Sequence, residues 1–142
     1  MNKIKIGRGI LYVIAVFTTF GGFIIDVNYT HLFNPKWTPH ARYHDALTIT
    51  MALCAGLTGL YFLRRRTGDA ELNLFLGTLL PAFLPVSQLL SFLFPTVGGL
   101  ESEFPELVPQ IGRFYFNELP ASLLLVGLSA AGYFLVRNKP AG

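Results

Sequence analysis

The chain has 142 residues, of which 52% are hydrophobic and only 13% are charged, and its mean hydropathy is +0.50. About a quarter of the residues in soluble domains are charged, so this composition excludes an ordinary soluble domain and indicates a single integral membrane domain over residues 1–142. The formal net charge is +3. No basic stripe with interleaved aromatic residues accompanies that charge, so we expect no nucleic-acid partner.

Four apolar stretches are each long enough to cross a hydrocarbon layer of roughly 30 Å at about 1.5 Å per residue. They predict helices at about residues 4–25, 39–63, 72–94 and 119–136. We interpret the first as a retained membrane helix, because its apolar run is longer than that of a typical signal peptide. The expected fold is therefore an all-α, four-helix transmembrane bundle in contact with the lipid bilayer.

The connection after helix one contains the segment HLFNPKWTPHARYHD, which holds all three histidines and the only tryptophan of the chain. Thr38 and Pro39 are typical of a helix start, with a capping side chain followed by proline at the first helical position. The first two turns of helix two then carry His40, His44 and Asp45 at the external interface. Prolines on both sides of Trp37 restrict the backbone and favour a loop of fixed shape.

Helix three contains Pro81 and Pro85, each of which removes an amide donor from the helix. The carbonyl groups left without a donor must face protein or an internal cavity. Gln88 lies one turn later, where it can bridge helices or contact a ligand. The following connection, residues 95–117, predicts a lid over the bundle mouth with a short helix at about residues 105–115, and Glu118 comes directly after it.

The basic residues predict the orientation of the bundle, because cytoplasmic loops carry an excess of Lys and Arg. Eight of the eleven basic residues lie at one end, which places both termini in the cytoplasm. Six of the eight acidic residues lie at the other, external end. The expected location is a bacterial inner membrane, with the histidine-rich loop on the periplasmic side. The eight basic residues are Lys3, Lys5, Arg8, Arg64, Arg65, Arg66, Arg137 and Lys139, and the six acidic residues are Asp26, Asp45, Glu101, Glu103, Glu106 and Glu118.

The polar residues of the external end predict a pocket for a lipophilic small molecule. Imidazoles and carboxylates can exchange protons near neutral pH, and partial burial can separate their pKa values into an acid and a base. In this hypothesis His40 or His44 acts as base or acid and is oriented by Asp45 or Glu118. The other predicted ligand-binding residues are Asp26, His31, Asn34, Trp37 and Gln88.

A metal site is the first alternative. His40 and His44 are four residues apart, so on a helix they share one face, with Cβ atoms about 5–6 Å apart. Together with His31 or a carboxylate from Asp26 or Glu118, they could bind a divalent zinc, iron or copper ion as a cofactor.

A non-catalytic role is the second alternative, in which the chain is an accessory subunit packed on a larger membrane complex. Interfacial histidines and aromatic residues also occur without any site, where they hydrogen-bond to neighbours or lie at the membrane surface. The sequence leaves open whether the protein is an enzyme and whether it forms a homo-oligomer.

The stretch DVNYTHLFNPKWTPHARYHDA resembles a segment in a family of small four-helix bacterial membrane proteins of unknown function. The shared pattern is His-x-Phe-Asn-Pro-x-Trp-x-Pro-His-Ala-Arg-aromatic-His, which here runs from His31 to His44, with Thr38 where the family often has proline. The resemblance implies a four-helix membrane fold and does not indicate any particular activity. In size and topology the chain is also similar to sterol-isomerase-like and DoxX-like proteins, and that similarity concerns architecture alone.

Overall fold

The computed structural model describes residues 2–137, so Met1 and residues 138–142, among them Lys139 of the predicted basic end, lie outside the described residues. The chain forms four long helices and is all-α, as predicted. Each helix is long and apolar enough to cross a membrane. The helices are α1 (Lys3–Ile25), α2 (Pro39–Arg64), α3 (Ala70–Ser91) and α4 (Glu118–Arg137).

The four helices form a closed ring in chain order. Each helix packs on the next, α4 returns to α1, and α1 also contacts α3 across the bundle. The short connection from α2 to α3 makes these two helices antiparallel neighbours. The buried centre contains apolar residues together with several hydroxyl groups, among them Leu11, Ala15, Ile49, Thr18 and Ser129.

The starts of α2 and α3 follow from their capping residues. Thr38 Oγ1 accepts a hydrogen bond from the Ala41 amide at 3.2 Å, and Pro39 occupies the first turn, as predicted. Asp69 Oδ1 accepts from two amides of the first turn of α3, so this helix begins two residues before the predicted start. It ends at Ser91 rather than at residue 94, because the backbone turns ahead of Pro95, and a residue before proline disfavours helix.

Both prolines of α3 are buried, as the sequence predicts. Pro85 has no amide hydrogen to donate to the carbonyl four residues earlier, which belongs to Pro81. Thr18 Oγ1 on α1 donates to that carbonyl oxygen at 3.1 Å. On the other side, α2 approaches α3 at Gly59, where an added Cβ would lie 2.6 Å from Pro81 Cδ. The proline-containing region of α3 therefore requires a hydroxyl on α1 and a glycine on α2.

The connection before α4 differs from its prediction, because the helix expected at residues 105–115 is absent from this part of the structure. The chain forms two 3₁₀ turns, Leu100–Ser102 and Pro105–Leu107, and then a hairpin of β1 (Gln110–Ile111) and β2 (Phe114–Tyr115). Pro109 interrupts a helical hydrogen-bond pattern, and Gly112 takes φ +63° at the tip of the hairpin.

Candidate functional site

A partly open cavity lies at the end of the bundle where α1 and α3 end and α2 and α4 begin. Its volume is about 420 Å³, within the range of roughly 300–1,000 Å³ that is typical of small-molecule sites. All four helices and the connection before α4 contribute to its wall, which is mainly apolar. The apolar lining includes Phe17, Ile49, Leu84, Val108, Phe116 and Leu125.

Five of the predicted site residues meet at this cavity, although they come from distant parts of the sequence. Asp26 caps the end of α1, His31 belongs to the first connection, and Asp45 lies on the second turn of α2. Gln88 lies near the end of α3, and Glu118 is the first residue of α4. Every helix therefore brings one polar side chain to the same space.

His40 and His44 are not part of the cavity wall, which corrects the pocket predicted from the sequence. Both are exposed, and their Nε2 atoms lie 3.1 Å from each other. The cavity face of α2 is formed by Asp45, Thr48, Ile49 and Ala52. At 3.6 residues per turn, the histidine pair lies roughly 110° around the helix from that face.

Asn34 and Trp37 shape the first connection without lining the cavity. Asn34 is only 1% exposed, and its side chain donates to Thr30 O and accepts from Lys36 N, both at 3.0 Å. The Trp37 ring packs edge-on against the His31 imidazole, with 6.0 Å between the ring centroids. These residues hold His31 in place, which differs from the direct ligand contact that the sequence suggested.

The three histidines of the alternative metal site do not come together in the described residues. Among residues 2–137, no group of three or more His, Cys, Asp or Glu side chains converges in a way that could hold a metal ion. His31 belongs to the cavity wall, whereas His40 and His44 lie outside it. The residues present therefore do not fit the predicted three-histidine site.

The hydrogen bonds around His31 determine which ring nitrogen carries the proton when the imidazole is neutral. Asn28 Oδ1 accepts from the Thr30 amide at 2.8 Å and lies 2.7 Å from Thr30 Oγ1. An amide oxygen can only accept, so the Thr30 hydroxyl donates to Asn28. Thr30 Oγ1 then accepts from His31 Nδ1, 2.7 Å away. The unprotonated nitrogen is therefore Nε2, which lies 3.9 Å from Asp26 Oδ1.

The charges at the cavity influence one another. Burial raises the pKa of the Asp26 carboxyl above its usual range, and the neighbouring His31 opposes this effect. The carboxylates of Asp45 and Glu118 raise the pKa of Asp26 further. Asp26 is therefore the carboxyl group of the cavity that lies beside His31 Nε2, the nitrogen with which it could exchange a proton.

Hydrogen bonds join α4 to two neighbouring segments on this side of the cavity. Both carboxylate oxygens of Glu118 accept from the Leu100 amide, at 3.2 and 3.1 Å, which attaches the connection before α4 to the start of that helix. Ser122 Oγ donates to Gln88 Oε1 at 3.0 Å and links α4 to α3. The predicted lid is thus attached through the same carboxylate that the sequence suggested for a catalytic role.

The sequence reasoning missed the roles of Asn28 and Thr30. An Asn two residues before a Thr is a usual signature of a turn in which the Asn side chain accepts from backbone and hydroxyl donors. That signal is present in Asn28-Tyr29-Thr30, directly ahead of His31. It would have indicated that His31, rather than the helical pair, is the oriented histidine.

Comparison with known proteins identifies one family. The model of DUF6640, a family of unknown function, matches residues 10–142, in agreement with the resemblance to an uncharacterised family. Searches of curated proteins and of solved structures give no match. Function must therefore be inferred from the cavity.

Proposed function

Because the chain belongs to DUF6640, a family of unknown function, we propose its function from the cavity alone. The protein is a multi-pass membrane protein that binds a lipophilic small molecule and transfers protons to and from it. The observation that carries this proposal is the convergence of Asp26, His31, Asp45, Gln88 and Glu118 on one largely apolar cavity.

The outer surface of the bundle supports placement in a membrane. Each helix exposes large apolar side chains, among them Val13, Met51, Phe83 and Leu123. Such a surface would be costly in water and is suited to lipid. The cavity lies at the acidic end, so the excess of basic residues at the opposite end would place the site on the non-cytoplasmic side.

His31 is the proton-transfer group in this proposal, in place of His40 and His44. Its Nε2 has a free electron pair, and Asp26 stabilises the imidazolium that forms when Nε2 takes a proton from the bound molecule. Return of that proton to another atom of the same molecule gives an isomerisation. Atoms and electrons balance in this reaction, and no oxidant or reductant is needed.

Deuterium exchange tests the proposal whatever the identity of the bound molecule. The protein is purified in lipid nanodiscs, native mass spectrometry identifies the bound molecule, and the sample is then incubated in D₂O. We expect the bound molecule to incorporate deuterium at carbon in the wild type and in His40→Gln and His44→Gln. We expect His31→Gln to retain the molecule and to lose at least nine-tenths of the incorporation.

Two results would overturn the proposal. The first is an empty cavity, for example in a protein that instead co-purifies with a stable partner, which would favour an accessory subunit. The second is deuterium incorporation that His31→Gln leaves unchanged. Loss of incorporation in the two helical histidine variants, with His31→Gln unaffected, would assign proton transfer to His40 and His44, as the sequence predicted.

A further inference from the structure

The polar end of the cavity has an excess of negative groups. Asp26, Asp45 and Glu118 face it from α1, α2 and α4, and α3 contributes the neutral Gln88. His31 is the single basic side chain in the cavity wall among residues 2–137, and its positive charge can offset only one carboxylate. A ligand with its own negative charge would therefore be repelled from this end.

Arg42, three residues before Asp45 on α2, is directed at the first connection. Arg42 Nη2 donates to the backbone oxygen of Asn34 at 2.9 Å, and Arg42 is not part of the cavity wall. On the α4 side, a buried oxygen of Glu101 has no hydrogen bond and lies beside Glu118, so the neighbouring charge there is also negative. The surroundings thus increase the excess of negative groups.

Among residues 2–137, one carboxylate oxygen of the cavity wall is both buried and without a hydrogen-bond partner. Asp45 Oδ2 is buried as an atom and accepts no hydrogen bond, while the same face of α2 continues into the cavity with Thr48, Ile49 and Ala52. A buried polar atom without a partner destabilises the folded protein, and a charged one does so more strongly. A positive charge held near the Asp45 carboxylate would offset part of that destabilisation.

We propose that the molecule bound in the cavity is a lipophilic cation, with a protonated amine against Asp26 and Asp45 and an apolar body among Phe17, Ile49 and Leu84. This inference rests on the proposed function, since it names the ligand class of the same cavity. The ammonium group supplies a positive charge beside Asp26 and Asp45 and so reduces the repulsion among the three carboxylates. The apolar part of the wall offers no oxygen ligands to a small hydrated cation, whereas it can pack against the apolar body of a lipophilic one.

Three probes with similar alkyl chains and different headgroup charges separate the contribution of charge to binding from that of hydrophobicity. N,N-dimethyldodecylamine, dodecanol and dodecanoate are titrated at neutral pH into the protein in phosphatidylcholine nanodiscs, and binding is measured against empty nanodiscs. We expect the amine to bind at least tenfold more tightly than the alcohol, and the carboxylate not to bind. Asp45→Asn should weaken amine binding at least fivefold and leave alcohol binding unchanged.

Glu103→Gln is the matched control, because Glu103 is an exposed carboxylate of the connection before α4 that does not line the cavity. It should bind all three probes as the wild type does. If Asp45→Asn does not fold, Asp26→Asn is measured in the same way with the same expected result.

The outcomes distinguish the two proposals. If none of the three probes binds, the cavity is not a site for lipophilic molecules, and both proposals fail. If dodecanol or dodecanoate binds as tightly as the amine, the cavity is still a site for lipophilic molecules, but the inference that its ligand is a cation is wrong. A preference for the amine that neither Asp45→Asn nor Asp26→Asn reduces would also overturn the inference.

Discussion

Asp26 is a carboxyl group that folding makes harder to ionise, because burial and two neighbouring carboxylates raise its pKa. The folded state then binds the Asp26 proton more tightly than the unfolded state. The resulting stability is fully present below the ordinary value of 3.8 and is lost as pH rises through the folded pKa. We therefore expect Asp26→Asn to raise the apparent melting temperature at neutral pH, and the gain to disappear as pH falls toward 3.8.

Differential scanning fluorimetry in detergent across this pH range measures the effect. Glu103→Gln serves as control, since an exposed carboxylate should give nearly the same melting temperature as the wild type at every pH. A melting temperature of Asp26→Asn that lies below the wild type at neutral pH would show that the His31 contact outweighs burial.

Thr30 orients His31, so its hydroxyl should determine the tautomer of the neutral imidazole. Thr30→Val keeps the side-chain shape and removes Oγ1, which leaves His31 Nδ1 without its acceptor. In a His40→Gln, His44→Gln background, ¹⁵N NMR of the remaining histidine reports the proton position directly. We expect the Nδ1–H form to predominate with Thr30 and to lose that predominance in Thr30→Val, with a stability loss of about 1 kcal/mol.

Thr50→Val is the matched control, because the Thr50 hydroxyl donates only to carbonyl groups of its own helix. It should leave the His31 tautomer unchanged. An unaltered tautomer in Thr30→Val would mean that the hydroxyl does not determine the proton position, and a predominant Nε2–H form in the wild type would mean that the hydroxyl donates to His31.

Single residues show where sequence reasoning succeeds and where it stops. Asp45 lines the cavity, and both its helix and its polarity were readable from the sequence. His40 and His44 lie outside the cavity wall, because a spacing of four residues predicts a shared face but not which face meets the bundle interior. That choice is made by the packing of α2 on α1 and α3.

Helix α3, which contains two prolines, depends on one hydroxyl from α1. Thr18→Val leaves the buried Pro81 carbonyl without a donor, and we expect it to lower the free energy of unfolding by about 1–3 kcal/mol. Pro85→Ala restores an amide hydrogen that can reach the same carbonyl. In that background Thr18→Val should therefore cost about 1 kcal/mol less.

The wild type, the two single variants and the double variant are unfolded by titration in mixed micelles. The four free energies of unfolding give the coupling energy between Thr18→Val and Pro85→Ala. Thr78 offers a control, since its hydroxyl is part-buried and donates to Leu74 O within α3 at 2.8 Å. Thr78→Val and Pro85→Ala should be additive. Equal costs of Thr18→Val in both backgrounds would mean that the Thr18 hydroxyl does not replace the missing amide.

Helices were predictable because their length, caps and apolar content are local properties, and each predicted helix overlaps its observed counterpart. The connection before α4 was not, since Pro, Gly and aromatic residues are compatible with several short structures. Its hairpin depends on Gly112 at a turn, and its position depends on the Leu100 amide reaching Glu118. Such a long-range contact leaves no periodic pattern in the sequence.

The two ends of the bundle have opposite character, and this asymmetry joins the fold to the proposed site. The end with the cavity contains six of the eight carboxylates, while the described residues of the other end include Arg64, Arg65 and Arg66. Because the four helices alternate in direction, the carboxylates gather at one end of the bundle and the basic residues at the other. The side of the membrane that holds the basic residues therefore also determines the side on which the proposed site lies.

Single cysteines test that orientation in intact cells. Cys54 is the single cysteine of the chain, so Cys54→Ala gives a background without thiols. Thr67→Cys lies in the connection between α2 and α3, and Glu103→Cys lies in the connection before α4; both positions are exposed. Because basic residues are retained on the cytoplasmic side, a membrane-impermeant maleimide should label Glu103→Cys in intact cells and Thr67→Cys only after permeabilisation. The reverse pattern would turn the cavity toward the cytoplasm, and labelling of both positions in sealed cells would contradict a membrane-spanning bundle.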